Sequence, residues 1–205
     1  MPVERVARAR RLAAGALAVL AWAVAARAQA PASALLPPAL LAACAACHGP
    51  GGNAPDPLNP SLAGQPKLFI ENQLVLIREG LREVPTMKAL LAGMSDETII
   101  ALARHYSALP LLPRPGPADA SRMALGAGLS KPRLCGTCHL ANYAGQQQVP
   151  RLAGQNEDYL LQAMKDFRDK PGPGRDTLMS EALRGLKDDD LGHLAHYLAR
   201  FGVAR

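Results

Sequence analysis

Cys44-Ala45-Ala46-Cys47-His48 recurs as Cys135-Gly136-Thr137-Cys138-His139, and these ten positions hold every cysteine of the 205-residue chain. Two thiols three positions apart, with an imidazole directly after the second, suit attachment of a haem through two thioethers while the imidazole nitrogen ligates the iron. A redox dithiol would need a thioredoxin-like strand-helix context, which is hard to find here. Paired Cys-x-x-Cys motifs that share one zinc are usually separated by about 12–20 residues. Here the two motifs lie 91 positions apart. That gap is the size of a small domain, so the expected cofactors are two covalently bound haem c groups, one per half.

Working outward, the two halves repeat more than the cysteines. The run Pro37-Pro38-Ala39-Leu40-Leu41-Ala42-Ala43 reads as a short helix that begins at proline and delivers Cys44 and Cys47, one turn apart, on one side. A Gly/Pro/Asn-rich loop from Gly49 to Pro60 leads to Pro60-Ser61-Leu62-Ala63-Gly64-Gln65, matched by Pro150-Arg151-Leu152-Ala153-Gly154-Gln155. Helices over 67–79 and 157–168 follow at an offset of 90. Two methionine-bearing segments come next, Val84-Pro85-Thr86-Met87 and Asp176-Thr177-Leu178-Met179, both read as loops. Each half closes with an amphipathic helix carrying Ile99, Leu102, Ala103 and Tyr106, or Leu191, Leu194, Ala195 and Leu198, at i, i+3, i+4, i+7 and an offset of 92. The pairs His105-Tyr106 and His196-Tyr197 would instead align at 91, which shifts the apolar stripe by one residue. The stripe is the better guide.

Between the halves, Leu109-Pro110-Leu111-Leu112-Pro113-Arg114-Pro115-Gly116-Pro117 can neither continue a helix nor pair in a sheet, and its four prolines make it stiff. A helix over 121–134 then enters the second cysteine motif. No strand signal rises above background, so the chain is all-α, with expected segments 1–28, 29–112, a linker at 113–119, and 120–205.

Residues 1–28 read as an export signal: Arg5, Arg8, Arg10 and Arg11, an apolar run from Leu12 to Ala26, and Ala26-Arg27-Ala28 as a small-x-small cleavage site before Gln29. The run is shorter than the ~20 residues that span a bilayer. The whole chain carries 23 basic and 17 acidic residues; removing the leader's five Arg and one Glu leaves 18 and 16, a formal charge of +2. Four haem propionates would bring that near neutrality. Nucleic acid is not an expected partner. Phe, Trp and Tyr make up only 4% of the residues, so a large apolar cofactor would supply core that the side chains do not.

The axial positions follow from the repeat. His48 and His139 are the expected proximal ligands. A distal donor must come from elsewhere, and Met87 and Met179 stand 39 and 40 residues beyond those histidines. Met164 reads as core on a helix face, Met94 has no partner in the other repeat, Met123 precedes the second cysteine motif, and His105, His193 and His196 occupy unmatched positions. Bis-His ligation is the alternative.

The order CxxCH, Pro-x-Leu-Ala-Gly-Gln, aromatic-bearing helix, Met segment and amphipathic helix, repeated after a Pro-rich linker, resembles the di-haem cytochromes c of the c-four type over nearly all of the mature chain. The resemblance implies two tandem class I cytochrome c domains related by a pseudo-twofold, with haem propionate edges close at their interface. It further implies that the carbonyls of Pro60 and Pro150 accept the Nδ1–H of His48 and His139, and that Pro60, Leu62, Pro150 and Leu152 line the haem pockets beside Cys44, Cys47, Cys135 and Cys138. Pro171-Gly172-Pro173-Gly174 departs from the pattern by lengthening the second Met segment. His105 departs by standing where an aromatic is expected.

Iron with both axial positions filled offers substrate no site, so the expectation is outer-sphere electron transfer without catalysis, in the periplasm, by a monomer. Family resemblance suggests a terminal oxidase as acceptor and a quinol-oxidising complex as donor, with membrane-surface association left open. The alternatives are a haem-bearing subunit of a periplasmic dehydrogenase, or a di-haem peroxidase if one distal position is open.

Overall fold

A proline opens the first haem-motif helix. Pro38 occupies the first helical position of α1 (Pro38–His48), where its missing N–H and preset φ cost nothing, and the helix carries Cys44, Cys47 and His48 in its last two turns. The computed structural model describes residues 36–113 and 116–202. The expected signal segment with its cleavage site, and Arg114 and Pro115 of the linker, lie outside the described residues.

The order continues with a 3-10 turn at Pro50–Gly52, then α2 (Lys67–Arg78), α3 (Pro85–Leu91) and α4 (Asp96–Ser107). The second half contains α5 (Ala120–Ser130), α6 (Cys135–Cys138), α7 (Glu157–Asp169), α8 (Thr177–Leu183) and α9 (Asp188–Arg200). Among the described residues there is no strand, only one isolated bridge between Gln146 and Val149. The chain is all-α, as expected.

The final helices decide the register of the repeat. Ile99, Leu102, Ala103 and Tyr106 of α4, and Leu191, Leu194, Ala195 and Leu198 of α9, are all 4% exposed or less. The offset of 92 therefore holds. His196 is buried while His105 is only half-buried, so an alignment at 91 would pair unlike environments. Serine and acidic residues start these helices: Ser95 Oγ accepts the Thr98 N–H at 3.3 Å, and Asp190 accepts the Lys187 N–H at 2.9 Å.

Two expectations need correction. The helix read over 121–134 stops at Ser130, because Pro132 lacks the N–H that the next turn would donate. Leu134 then takes a left-handed φ of 55°, and the cysteines sit on a separate turn, α6. Arg133 holds this entry segment against the end of α8 through bonds to Ala182 O (2.9 Å) and Arg184 O (3.0 Å). The second correction concerns the methionine loops: both methionines lie in the first turn of a short helix. Pro85 starts α3, and the Asp176 carboxylate caps α8 by accepting the Met179 N–H at 2.9 Å.

Packing differs between the halves. In the second, α5 crosses α9 at a glycine: a Cβ on Gly126 would fall 2.4 Å from both His193 O and Tyr197 Cβ, so only glycine lets the helices approach this closely. Tyr143, Tyr197 and Phe201 interlock edge-to-face around that crossing, with centroids 4.7–5.7 Å apart. In the first half, Leu40, Leu41 and Cys44 of α1 pack on a smaller cluster built from Leu36, Ile70, Ala101, Leu102, Ala103 and Tyr106.

The Pro171-Gly172-Pro173-Gly174 segment reaches across to the first half. Gly174, at φ 76°, lies so close to the Leu81–Arg82 backbone that a Cβ would fall 2.2 Å from Leu81 O. Gly174→Ala must therefore shift the segments that precede both methionine helices, at a cost of about 1–3 kcal/mol. Gly172, whose Cβ would meet nothing within 4 Å, is the control. Calorimetry of holoprotein should show Gly174→Ala lowering the Tm by several degrees and Gly172→Ala leaving it unchanged; equal effects would deny the contact any role.

Candidate haem centres

The segment after each cysteine motif places an imidazole. His48 Nδ1 lies 2.9 Å from Pro60 O, and His139 Nδ1 lies 2.8 Å from Pro150 O. A carbonyl can only accept, so Nδ1 carries the proton in each ring and Nε2 keeps its lone pair for a metal. Both rings are buried, and that burial holds their pKa below the usual imidazole value, partly offset by the bond to the carbonyl. Neutral, buried, orientation-fixed imidazoles are what an iron ligand requires.

The sulfurs fit as well. Cys44 packs on the first apolar cluster and Cys135 on the second, while Cys47 and Cys138 are exposed. The equivalent cysteines thus sit alike in the two halves, although one pair rides on α1 and the other on α6. Burial pushes the Cys44 thiol pKa up, partly countered by its hydrogen bond with Tyr106. With two thiols, one neutral imidazole and an apolar wall in each half, the residues present fit a covalently held haem.

Leu-Ala-Gly-Gln explains itself through its backbone. The N–H groups of Leu62 and Ala63 both donate to Gly52 O, and that of Gly64 donates to Tyr106 O. The N–H groups of Leu152 and Ala153 donate to Tyr143 O, and that of Gly154 to Leu198 O. Each segment therefore ties its post-histidine loop to its final helix and holds the proline carbonyl against the imidazole. Leu62 and Leu152 are half-buried against the two clusters.

The two segments also meet each other. Gln65 Nε2 donates to Arg151 O (3.0 Å) and its Oε1 accepts the Arg151 N–H (2.9 Å). Gln155 Nε2 donates to Ser61 O (2.9 Å) and its Oε1 accepts the Ser61 N–H (2.8 Å). Both side chains are buried, and the pairing is reciprocal. Asn156 adds bonds to Asp56 O and Asn59 O, and Asn53 holds the linker through Pro110 O and the Leu112 N–H. The glutamines repeat in the sequence, but their crossing is visible only in the fold. Their matched place at the end of each Pro-x-Leu-Ala-Gly-Gln segment was the available signal.

The candidate distal donors Met87 and Met179 occupy the third position of α3 and α8, both half-buried. Met179 packs on the same cluster as Cys135. Two other methionines have core counterparts: Met94 aligns with buried Leu186, and Met164 is buried and aligns with Leu74. Two of the remaining histidines are otherwise engaged, whereas His193 has a buried Nδ1 without a hydrogen-bond partner. His196 Nε2 accepts the Asp119 N–H at 3.0 Å, so its Nδ1–H donates to Glu157 at 3.0 Å. The His105 ring stands edge-on to Tyr106. Arg78 and Arg168 close the two distal segments alike, bonding Met94 O and Asp96, or Leu186 O and Asp188.

Known proteins resemble this chain throughout. A family model described as cytochrome C oxidase, cbb3-type, subunit III matches residues 39–105, and one described as cytochrome c matches residues 123–201. Cytochrome c4 of Thiocapsa roseopersicina is 32% identical, over 76% of this chain and 85% of that protein. A thiosulfate dehydrogenase electron acceptor of Thiomonas intermedia is 31% identical, over 97% of this chain and 92% of its own length. The crystal structure of reduced cytochrome c4 from Pseudomonas stutzeri superposes with a TM-score of 0.73 at 29% identity, covering 78% of this chain and 94% of that one.

Proposed function

Because the chain belongs to the di-haem class I cytochromes c of the c4 type, with two tandem cytochrome c domains and two covalently bound haem c groups, we propose that it is a periplasmic electron carrier of a respiratory chain that delivers electrons to a terminal oxidase. What supports this is the matched setting of two imidazoles, each with Nδ1–H donated to a proline carbonyl, and two methionines, each at the third position of a short helix. Bound haem supplies reversible one-electron chemistry at iron. His48 and Met87 in one half, and His139 and Met179 in the other, would hold the iron in this reading. Cys44, Cys47, Cys135 and Cys138 are its thioether anchors, and Pro60, Leu62, Pro150 and Leu152 line the pockets. With a histidine and a methionine holding each iron, no position would be left for substrate, and the carbonyl bonds would keep the neutral imidazoles oriented. We place the domain boundaries at 29–112 and 120–205, with residues 1–28 as a cleaved export signal. No helix among the described residues is long and apolar enough to cross a membrane.

A second reading is favoured by the near full-length similarity to a thiosulfate dehydrogenase electron acceptor: the protein takes electrons from a periplasmic dehydrogenase before passing them on. Rapid mixing of reduced protein with oxidase-bearing membranes, and of oxidised protein with a dehydrogenase and its substrate, separates the two.

The basic expectation is stoichiometric. Mass spectrometry of mature protein should find two haems, four thioethers and no free thiol, on a chain beginning at Gln29. Reduced protein should not bind carbon monoxide. One haem, a titratable thiol or a carbon monoxide adduct would each contradict the two closed centres.

A further inference from the structure

One peptide group lies between each imidazole and the opposite domain. The Pro60 carbonyl that accepts from His48 and the Ser61 N–H held by Gln155 belong to a single planar amide, so the row reads Gln155 Oε1, Ser61 N–H, Pro60 C=O, His48 Nδ1–H, with contacts of 2.8 and 2.9 Å. The mirror row reads Gln65 Oε1, Arg151 N–H, Pro150 C=O, His139 Nδ1–H, with contacts of 2.9 and 2.8 Å. We propose that Gln65 and Gln155 are crossed positioning residues, each setting from its own domain the strength of the hydrogen bond that the other domain's proximal imidazole makes.

An acceptor placed on the N–H of an amide polarises it and makes its carbonyl oxygen a better acceptor, and such chains strengthen in a low-dielectric interior. Both glutamines are buried, so water does not dilute the effect. A stronger acceptor at Nδ1–H gives the imidazole more imidazolate character and makes it a better donor to iron. Better donation favours the ferric state and lowers the potential. Removing the glutamine acceptor should therefore raise the potential of the haem across the interface, not of the haem in its own domain. The second contact of each side chain, from Nε2 to the carbonyl of residue 61 or 151, fixes the angle at which Oε1 faces the N–H. Gln155 Oε1 also accepts the Asn156 N–H at 2.9 Å, which tethers this arm further.

This rests on the two haems and His ligands proposed above, and the test separates the two claims. Wild-type holoprotein with both haems and its sulfur-to-iron absorbance intact upholds that reading whatever the variants do. Gln155→Met and Gln65→Met keep length and remove the acceptor. In redox titrations followed by NMR, with haem methyl signals assigned to each domain, Gln155→Met should raise the midpoint potential of the His48-bound haem alone. Gln65→Met should raise that of the His139-bound haem alone. Exchange of the Ser61 or Arg151 amide proton should quicken on the order of tenfold in the corresponding variant, as loss of one buried hydrogen bond predicts. Gln155→Glu and Gln65→Glu keep an acceptor and should lower the same potentials instead, which also serves if a methionine variant fails to load haem. A shift confined to the variant's own domain, an equal shift of both haems, no shift, or a rise with glutamate would each overturn the crossed assignment.

Discussion

Haem-free protein is expected to show no cooperative thermal transition. Each half spans about 80–90 residues, a size at which a core is marginal even when well packed, and aromatic residues are scarce. The shortfall is unequal. Among the described residues eleven apolar side chains are buried in each half, but only six of the first half's join one cluster, whereas all eleven of the second half's do. The first half should therefore depend more heavily on its cofactor. A Cys44→Ser, Cys47→Ser double variant removes one attachment site and tests this locally. Hydrogen exchange across 38–107 should lose its protection, while α5, α7 and α9 keep theirs around the Gly126 crossing. The converse pair, Cys135→Ser with Cys138→Ser, should damage its own half less. Sharp unfolding of haem-free material, or an undisturbed first half in the first double variant, would refute the dependence.

The other large effect is expected at the methionines. A thioether is a soft, neutral donor, and its loss opens iron to water or to a nearby imidazole. Met87→Ala and Met179→Ala should each abolish about half of the weak far-red absorbance that marks sulfur-to-ferric-iron ligation, leaving the other haem unaltered. The two losses should add, because the methionines lie on separate helices, α3 and α8. Met164→Leu conserves volume on the buried face of α7 and should cost under ~1.5 kcal/mol with the absorbance intact. Should Met164→Leu or Met94→Leu remove half the absorbance while a Met87 or Met179 variant keeps it all, the ligand of that half is misassigned.

Neither methionine segment shows a helical period in sequence, because α3 and α8 span only seven residues each. Their start signals were nevertheless present, proline at 85 and aspartate at 176. The expected helix before the second cysteine motif runs too long for a related reason: Leu129 and Leu134 flank Pro132, whose missing N–H ends the helix at Ser130. Short-range chemistry, a proline start, a cap or a missing N–H, decides all three places.

What the sequence determined by itself is whatever depends on spacing along one chain. Two thiols one turn apart with a histidine after the second, an apolar stripe at helical period, and a repeat offset of 90 to 92 are local facts, and they sufficed for the all-α class, two domains and two haems. The tertiary structure alone decided how the halves are joined. The Pro-rich linker is not the main bond between them: Gln65 reaches Arg151 and Gln155 reaches Ser61, partners 86 and 94 positions away. Gly174 likewise presses on Leu81. A glutamine carries no mark in sequence of which backbone its amide will meet, since any peptide offers it the same donor and acceptor. Only folding, which brings one domain's peptide plane against the other's side chain, makes that choice.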